Sequence, residues 1–214
     1  LDGWRQADTV ARAALGGVLG GELSEPAVAV RTAAALTPDD TLFVASSMPV
    51  RDLETFAVTG ARVLANRGAN GIDGTVSTAL GVAAASGGRT VLLTGDVALL
   101  HDAGGLLAAR RLTADLTIVL INNDGGGIFH FLPVAGETDH FEQHVATPHG
   151  TDFAALGALA GFAHRTADTP EAFDAALREA SGRTIVEVRT DRAANVALHR
   201  RAWAAVAQAI RDKT

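Results

Sequence analysis

Hydrophobic positions along the chain fall into two alternating rhythms. Short apolar runs at Thr41 to Ala45, Arg62 to Ala65, Arg89 to Thr94, Leu116 to Asn122, Phe162 to Arg165 and Arg183 to Val188 read as strands of four to seven residues. Between them lie stretches with helical spacing. Trp4 to Leu19 is one; Ser24 caps a second through Leu36, with Pro26 in its first turn. Further helices are predicted over Pro49 to Val58, from an Asp73 cap through Ser86, and over Asp102 to Arg111, Asp152 to Leu159, Pro170 to Ala180 and Ala193 to Ile210. The segment from Phe131 to His149, rich in Pro, Gly and His, is expected to be a loop. Strands alternating with helices predict an α/β three-layer sandwich: a mostly parallel sheet of about six strands with helices on both faces. No internal repeat interrupts this order.

The pattern also locates the unusual residues. Polar side chains cluster where the strands end, at Ser46-Ser47, Asn66-Arg67, Gly95-Asp96 and Asn122-Asn123. In parallel sheets the ligand crevice lies beyond the carboxyl ends of the strands, where helix N-termini also point. The stretch INNDGGGIF, residues 121–129, places two amides, an acid and three glycines directly after an aliphatic strand. Buried polar groups need partners, and consecutive glycines let backbone approach a ligand closely. Asn123 follows Asp96 by 27 residues, room for one helix and the next strand, so both oxygens reach the same sheet edge. A carboxylate, an amide oxygen and a glycine carbonyl suit Mg²⁺, which prefers hard oxygens and keeps places for phosphate oxygens. So few protein charges imply that the ligand brings its own, as a diphosphate does. Taken singly, a Gly-Asp after a strand and an Asn-Asn-Asp-Gly-Gly run are also ordinary turn chemistry.

Composition narrows the setting. The 214 residues are 48% hydrophobic and 20% charged, which is globular rather than disordered. A net charge of -6 supplies no basic footprint for nucleic acid. Without cysteine, thiolate metal sites and disulfides are excluded and a reducing compartment is permitted. No apolar run approaches a membrane span, and LDGWRQADTV has no signal-peptide pattern, so a cytoplasmic location is expected.

Gly95-Asp96, the 27-residue interval and Asn122-Asn123 resemble the signature of thiamine-diphosphate enzymes. The general pattern has glycine after the aspartate, where this chain has Val97. Four ordered blocks, SSMPVRDLE, NRGANGIDGTVSTALG, GDVALLHD and NNDGGGIFHFLP, are together similar to the menaquinone-pathway branch of that family, the 2-succinyl-5-enolpyruvyl-6-hydroxy-3-cyclohexene-1-carboxylate (SEPHCHC) synthases. The resemblance implies that residues 21–214 are the diphosphate-binding domain and residues 1–20 a linker helix from a preceding domain. The pyrimidine-binding and central domains are not in this chain. The resemblance further implies Asp96, Asn123 and Gly125 as ligands of Mg²⁺, or of Mn²⁺ in its place, and Gly95 beside them at the cofactor. Ile72 is implied as the apolar residue that bends thiamine diphosphate. Ile128, Phe129 and Leu132 are implied as a wall over its reacting carbon, and Ser47, Arg51 and Arg67 as substrate contacts.

The implied substrates are 2-oxoglutarate, which is decarboxylated, and isochorismate, which receives the remaining four-carbon unit. Both carry carboxylates that a guanidinium grips with paired hydrogen bonds. The glutamate that activates the cofactor belongs, in the family, to a partner subunit's pyrimidine domain. A homo-oligomer is therefore implied, and the chain by itself is expected not to turn over. Two alternatives stay open: another thiamine-diphosphate-dependent 2-keto acid decarboxylase or acetolactate synthase-like enzyme, and a non-catalytic ligand-binding or regulatory domain. Asp124 stands where relatives commonly carry Asn, and its role is open. His101 and His130 are the histidines expected nearer the site, either behind the residues that line it or on the surface. The spacing of His140, His144 and His149 does not make a zinc site.

Overall fold

A computed structural model describes residues 1–66 and 71–213. Its elements run α1 (Asp2–Leu19), α2 (Glu25–Ala34), β1 (Thr41–Val44), α3 (Met48–Phe56), β2 (Arg62–Leu64), α4 (Thr75–Ala85), β3 (Thr90–Gly95), α5 (Asp96–His101) and α6 (Ala103–Ala108). Then follow β4 (Thr117–Asn122), the one-turn α7 (Thr138–Phe141), α8 (Phe153–Ala160), β5 (Ala163–Thr166), α9 (Pro170–Glu179), β6 (Thr184–Arg189) and α10 (Arg192–Arg211). The six strands form one sheet in the order β2-β1-β3-β4-β6-β5, and every pair is parallel.

Period-two alternation assigns each strand residue to one of two cores. Val44, Leu93, Val119 and Val186 share a register row and pack with Val28 of α2 and Phe173 and Leu177 of α9. Phe43, Leu92, Ile118 and Ile185 form the neighbouring row on the other face, against Leu80 of α4, Leu106 of α6 and Phe153 of α8. Phe173 is fully buried. Phe173→Ala is expected to cost about 3–5 kcal/mol in urea unfolding, the usual loss for a phenylalanine cavity. A loss under about 1 kcal/mol would mean that this face repacks.

Caps work where side chains can reach. Ser24 accepts from Ala27 N, Asp152 from Ala154 and Ala155 N, and Asp191 from Ala194 N. Asp73 does not cap α4. Gly74 holds that position with φ 65°, a left-handed conformation that glycine adopts freely, and Asp73 instead lies 3.0 Å from His101. The helix expected from Asp102 begins earlier, at Asp96, and breaks at Asp102, whose carboxylate accepts from Ser77 N and Oγ on α4. The expected loop after Phe131 is a chain of short helical turns from Pro133 to Ala146, held by the buried Phe141 and Ala146. Helix α1 buries no residue and lies along α10. Among the described residues no helix is long and apolar enough to cross a membrane.

Candidate functional site

Strand β1 has β2 on one side and β3 on the other, so the chain changes direction between β1 and β3. A ligand crevice is expected at such a switch point. A cleft of about 430 Å³ opens there, walled by the residues that follow β1, β3 and β4 and by the start of α2.

Gly95 ends β3, and Asp96 opens α5 almost fully buried, at 2% exposure. Its Oδ1 accepts from Val97 N at 2.7 Å and its Oδ2 from Gly125 N at 2.9 Å. Asn123, one residue past β4, donates from Nδ2 to Glu25 Oε1 at 2.9 Å. Its Oδ1 is buried and has no hydrogen-bond partner. Gly125 has φ 138°, and a Cβ there would stand 2.3 Å from Ala146 O. Its carbonyl accepts from Gly127 N at 3.0 Å and retains a second lone pair.

Ser47, Arg51, Ile72, Gly95, Asp96, Asn123, Gly125, Ile128 and Phe129 all line this one cleft. Leu132 does not. The short turn Gly127–Phe131 ends before it, the backbone extends, and Leu132 is half exposed. Arg67 lies outside the described residues. Arg51 is exposed at the rim and donates to Ser47 O at 2.6 Å, which leaves most of its five N–H donors available. Ser47, Asp124 and Thr147 hold positive φ, at 77°, 55° and 50°. Ser47 lines the cleft, Asp124 stands between its lining residues Asn123 and Gly125, and Thr147 ends the turn that packs against Gly125. Such conformations cost about 1–3 kcal/mol each and collect at functional sites.

Some neighbours had no sequence signal. His149 reaches the site although 53 residues separate it from Asp96. Gly126 N bonds Ala146 O at 2.7 Å, which folds the helical turns back and brings His149 Nε2 to 3.2 Å from Asp96 Oδ2. Thr151 N donates to His149 Nδ1 at 3.1 Å, which turns Nε2 toward Asp96. His101 and His130, expected near the site in supporting or surface positions, do not line the cleft: His130 packs its ring on Phe141 and His101 meets Asp73. Asp124 acts as a latch: its Oδ1 accepts from His149 N at 3.0 Å and Gly150 N at 2.8 Å. Donation from Gly150 holds its carboxyl below the ordinary aspartate range.

Glu25 is 1% exposed on the cleft wall. Burial pushes its carboxyl up to about 7, against the lowering effect of the bond from Asn123. Behind Arg51, Asp52 is fully buried 2.9 Å from His199 Nε2, and burial raises its carboxyl too. The His199 ring meets Phe56, Phe131 and Trp203 edge-on, so α3, α10 and the turn after the glycines share one support.

A buried, unpaired amide oxygen beside a buried carboxylate is the donor set of a hard divalent cation, and the residues present suit it. Residues 53–188 match the family described as thiamine pyrophosphate enzyme, C-terminal TPP binding domain. The chain belongs to this family. The span matched by the TPP-binding domain contains Asp96, Asn123 and Gly125, whereas Glu25, Ser47 and Arg51 precede it.

The TPP-binding domain is also similar to larger proteins. It is 53% identical over 195 residues to a SEPHCHC synthase of Myxococcus xanthus, with 88% of this chain and 33% of that protein covered. Identity is 50% to the synthase of Chloroflexus aurantiacus, over the same shares. It is 45% to that of Rubrobacter xylanophilus, over 94% of this chain and 36% of the relative. The chain thus spans about a third of the length of the curated relatives it matches. A solved chain described as a thiamin diphosphate-dependent enzyme from Mycobacterium smegmatis superposes with TM-score 0.63 at 19% identity, over 79% of this chain and 32% of that one. That likeness concerns the fold alone.

Proposed function

We propose that this chain is the diphosphate-binding domain of a SEPHCHC synthase, a cytoplasmic homo-oligomer that decarboxylates 2-oxoglutarate and transfers the remaining four-carbon unit to isochorismate. The unpaired Asn123 Oδ1 beside Asp96, at the switch point of the sheet, is the observation that carries the reading. Asp96, Asn123 and the Gly125 carbonyl would hold Mg²⁺, or Mn²⁺ in its place, with a diphosphate supplying the balancing charge. Thiamine diphosphate, when bound, supplies the electron sink that decarboxylation of a 2-keto acid requires.

The remaining work belongs to the chain. Asp96 is fixed from both oxygens by main-chain donors, so the cation site is preorganised rather than assembled by the ligand. Ile72, Ile128 and Phe129 make the cleft wall apolar, which excludes water from the reacting atoms. Leu132 lies outside that lining, half exposed. Ser47 and Arg51 stand at the rim, where Arg51 offers a fork of donors to a carboxylate and Arg67 would add a second.

Calorimetric titration with thiamine diphosphate, with and without Mg²⁺, tests the reading. Cation-dependent binding supports it, and binding indifferent to the cation would refute the ligand set. Arg51→Ala in the complete enzyme is expected to leave cofactor binding intact and to lower kcat/KM for the carboxylate substrates about twofold to fivefold, the worth of an exposed charge pair at about 0.2–1 kcal/mol. Unaltered kinetics would reassign Arg51 to the solvated surface.

A further inference from the structure

Glu25 is a buried acid on the cleft wall to which the reading above gives no task. Its carboxylate is ringed by donors. Asn123 Nδ2 and Thr190 Oγ1 both reach Oε1 at 2.9 Å, and Asn195 Nδ2 reaches Oε2 at 2.9 Å. The donors come from three separate places: the segment after β4, the residue after β6, and the first turns of α10. Thr190 and Asn195 therefore fix the carboxylate independently of the cleft.

A carboxylate can only accept, whereas an asparagine amide has one accepting and one donating end. The end of Asn123 that meets Glu25 is the nitrogen, the end that an ionised Glu25 holds, and the oxygen is left on the other side, buried without a partner. Gly127 limits the space on the same amide, since a Cβ there would lie 2.6 Å from Asn123 Nδ2. Rotated by half a turn, the amide would present two N–H groups to a cation and repel it. We propose that Glu25 is a positioning residue: it locks the Asn123 amide with its oxygen toward the cation site and thereby sets the affinity for the divalent ion. This deepens the reading of the cleft as a cation and diphosphate site and rests on it.

The test titrates the chain with Mn²⁺ in saturating thiamine diphosphate, following free Mn²⁺ by electron paramagnetic resonance. Glu25→Met removes the acceptor at nearly constant length. It should weaken Mn²⁺ binding about 10–100-fold, the usual effect of losing a group that orients a metal ligand. Asn123→Asp makes both ends of residue 123 acceptors, so nothing is left to orient. In that background Glu25→Met should leave Mn²⁺ binding unchanged or tighter, because a neighbouring like charge is removed. A residue that only supports the fold would weaken both backgrounds by the same factor, and that outcome overturns the proposal. If Glu25→Met does not fold, Glu25→Asp keeps the charge but falls short of Asn123; about tenfold weaker binding is expected, and wild-type affinity overturns the proposal. Wild-type chain that takes up no Mn²⁺ with the cofactor present sinks the cation reading and the proposal together. Normal uptake by both wild type and Glu25→Met sinks the proposal alone.

Discussion

Asp96→Ala will abolish Mg²⁺-dependent binding of thiamine diphosphate while the domain still unfolds in one cooperative step. The two effects separate because Asp96 contributes differently to each. For the fold it supplies two hydrogen bonds to main-chain N–H groups, each worth about 1 kcal/mol net. Part of that loss is offset, since a buried charge that also bears on Glu25 disappears. For the proposed cation it would supply the negative charge, almost fully desolvated and therefore little screened. Losing one partner of such a pair costs about 2–5 kcal/mol, enough to move a micromolar site out of calorimetric range. A dissociation constant unchanged from wild type would show that the ligand charge lies elsewhere.

Gly125→Ala will be among the most destabilising small substitutions in the chain, at about 3–5 kcal/mol by denaturant midpoint. A φ of 138° strains any L-residue, and the new Cβ would meet the main-chain oxygen of Ala146 at 2.3 Å. No rotamer relieves a backbone clash. The Gly126 N to Ala146 O bond must open, and with it the fold-back that places His149 by Asp96. Gly81→Ala in the middle of α4 is the control: nothing lies within 4 Å of its Cβ, and about 0.5–1 kcal/mol of stabilisation is expected from helix propensity. Equal effects at the two glycines would remove the geometric argument.

The sheet was legible because most strands carry an apolar run, and four of the six end at Ser46-Ser47, Asn66-Arg67, Gly95-Asp96 or Asn122-Asn123. The helices capped by Ser24 and Asp152 were legible because a capping oxygen acts within three residues of itself. The cleft residues Asp96, Asn123 and Gly125 were legible from strand ends, since parallel topology delivers those ends to one edge. Glu25 was not. An acid just after an N-cap looks like an ordinary complement to the helix dipole, and its partners are 98, 165 and 170 residues away. His149 was placed by the fold-back of turns whose Pro, Gly and His content read as loop. The Asp52–His199 contact was invisible for the same reason, because neither α3 nor α10 carries a local mark of the other.

The bond between Glu25 and Asn195 spans 170 residues. On a ribosome adding roughly 5–20 residues per second, the first partner waits on the order of 10–30 s for the second. Throughout that interval the strand ends bearing Asp96 and Asn123 can already be outside the tunnel while the carboxylate meant to orient the amide lacks its anchor. On the proposed reading, the growing chain should therefore bind the divalent cation only weakly until α10 emerges, so that cofactor loading follows completion of the domain instead of steering its folding.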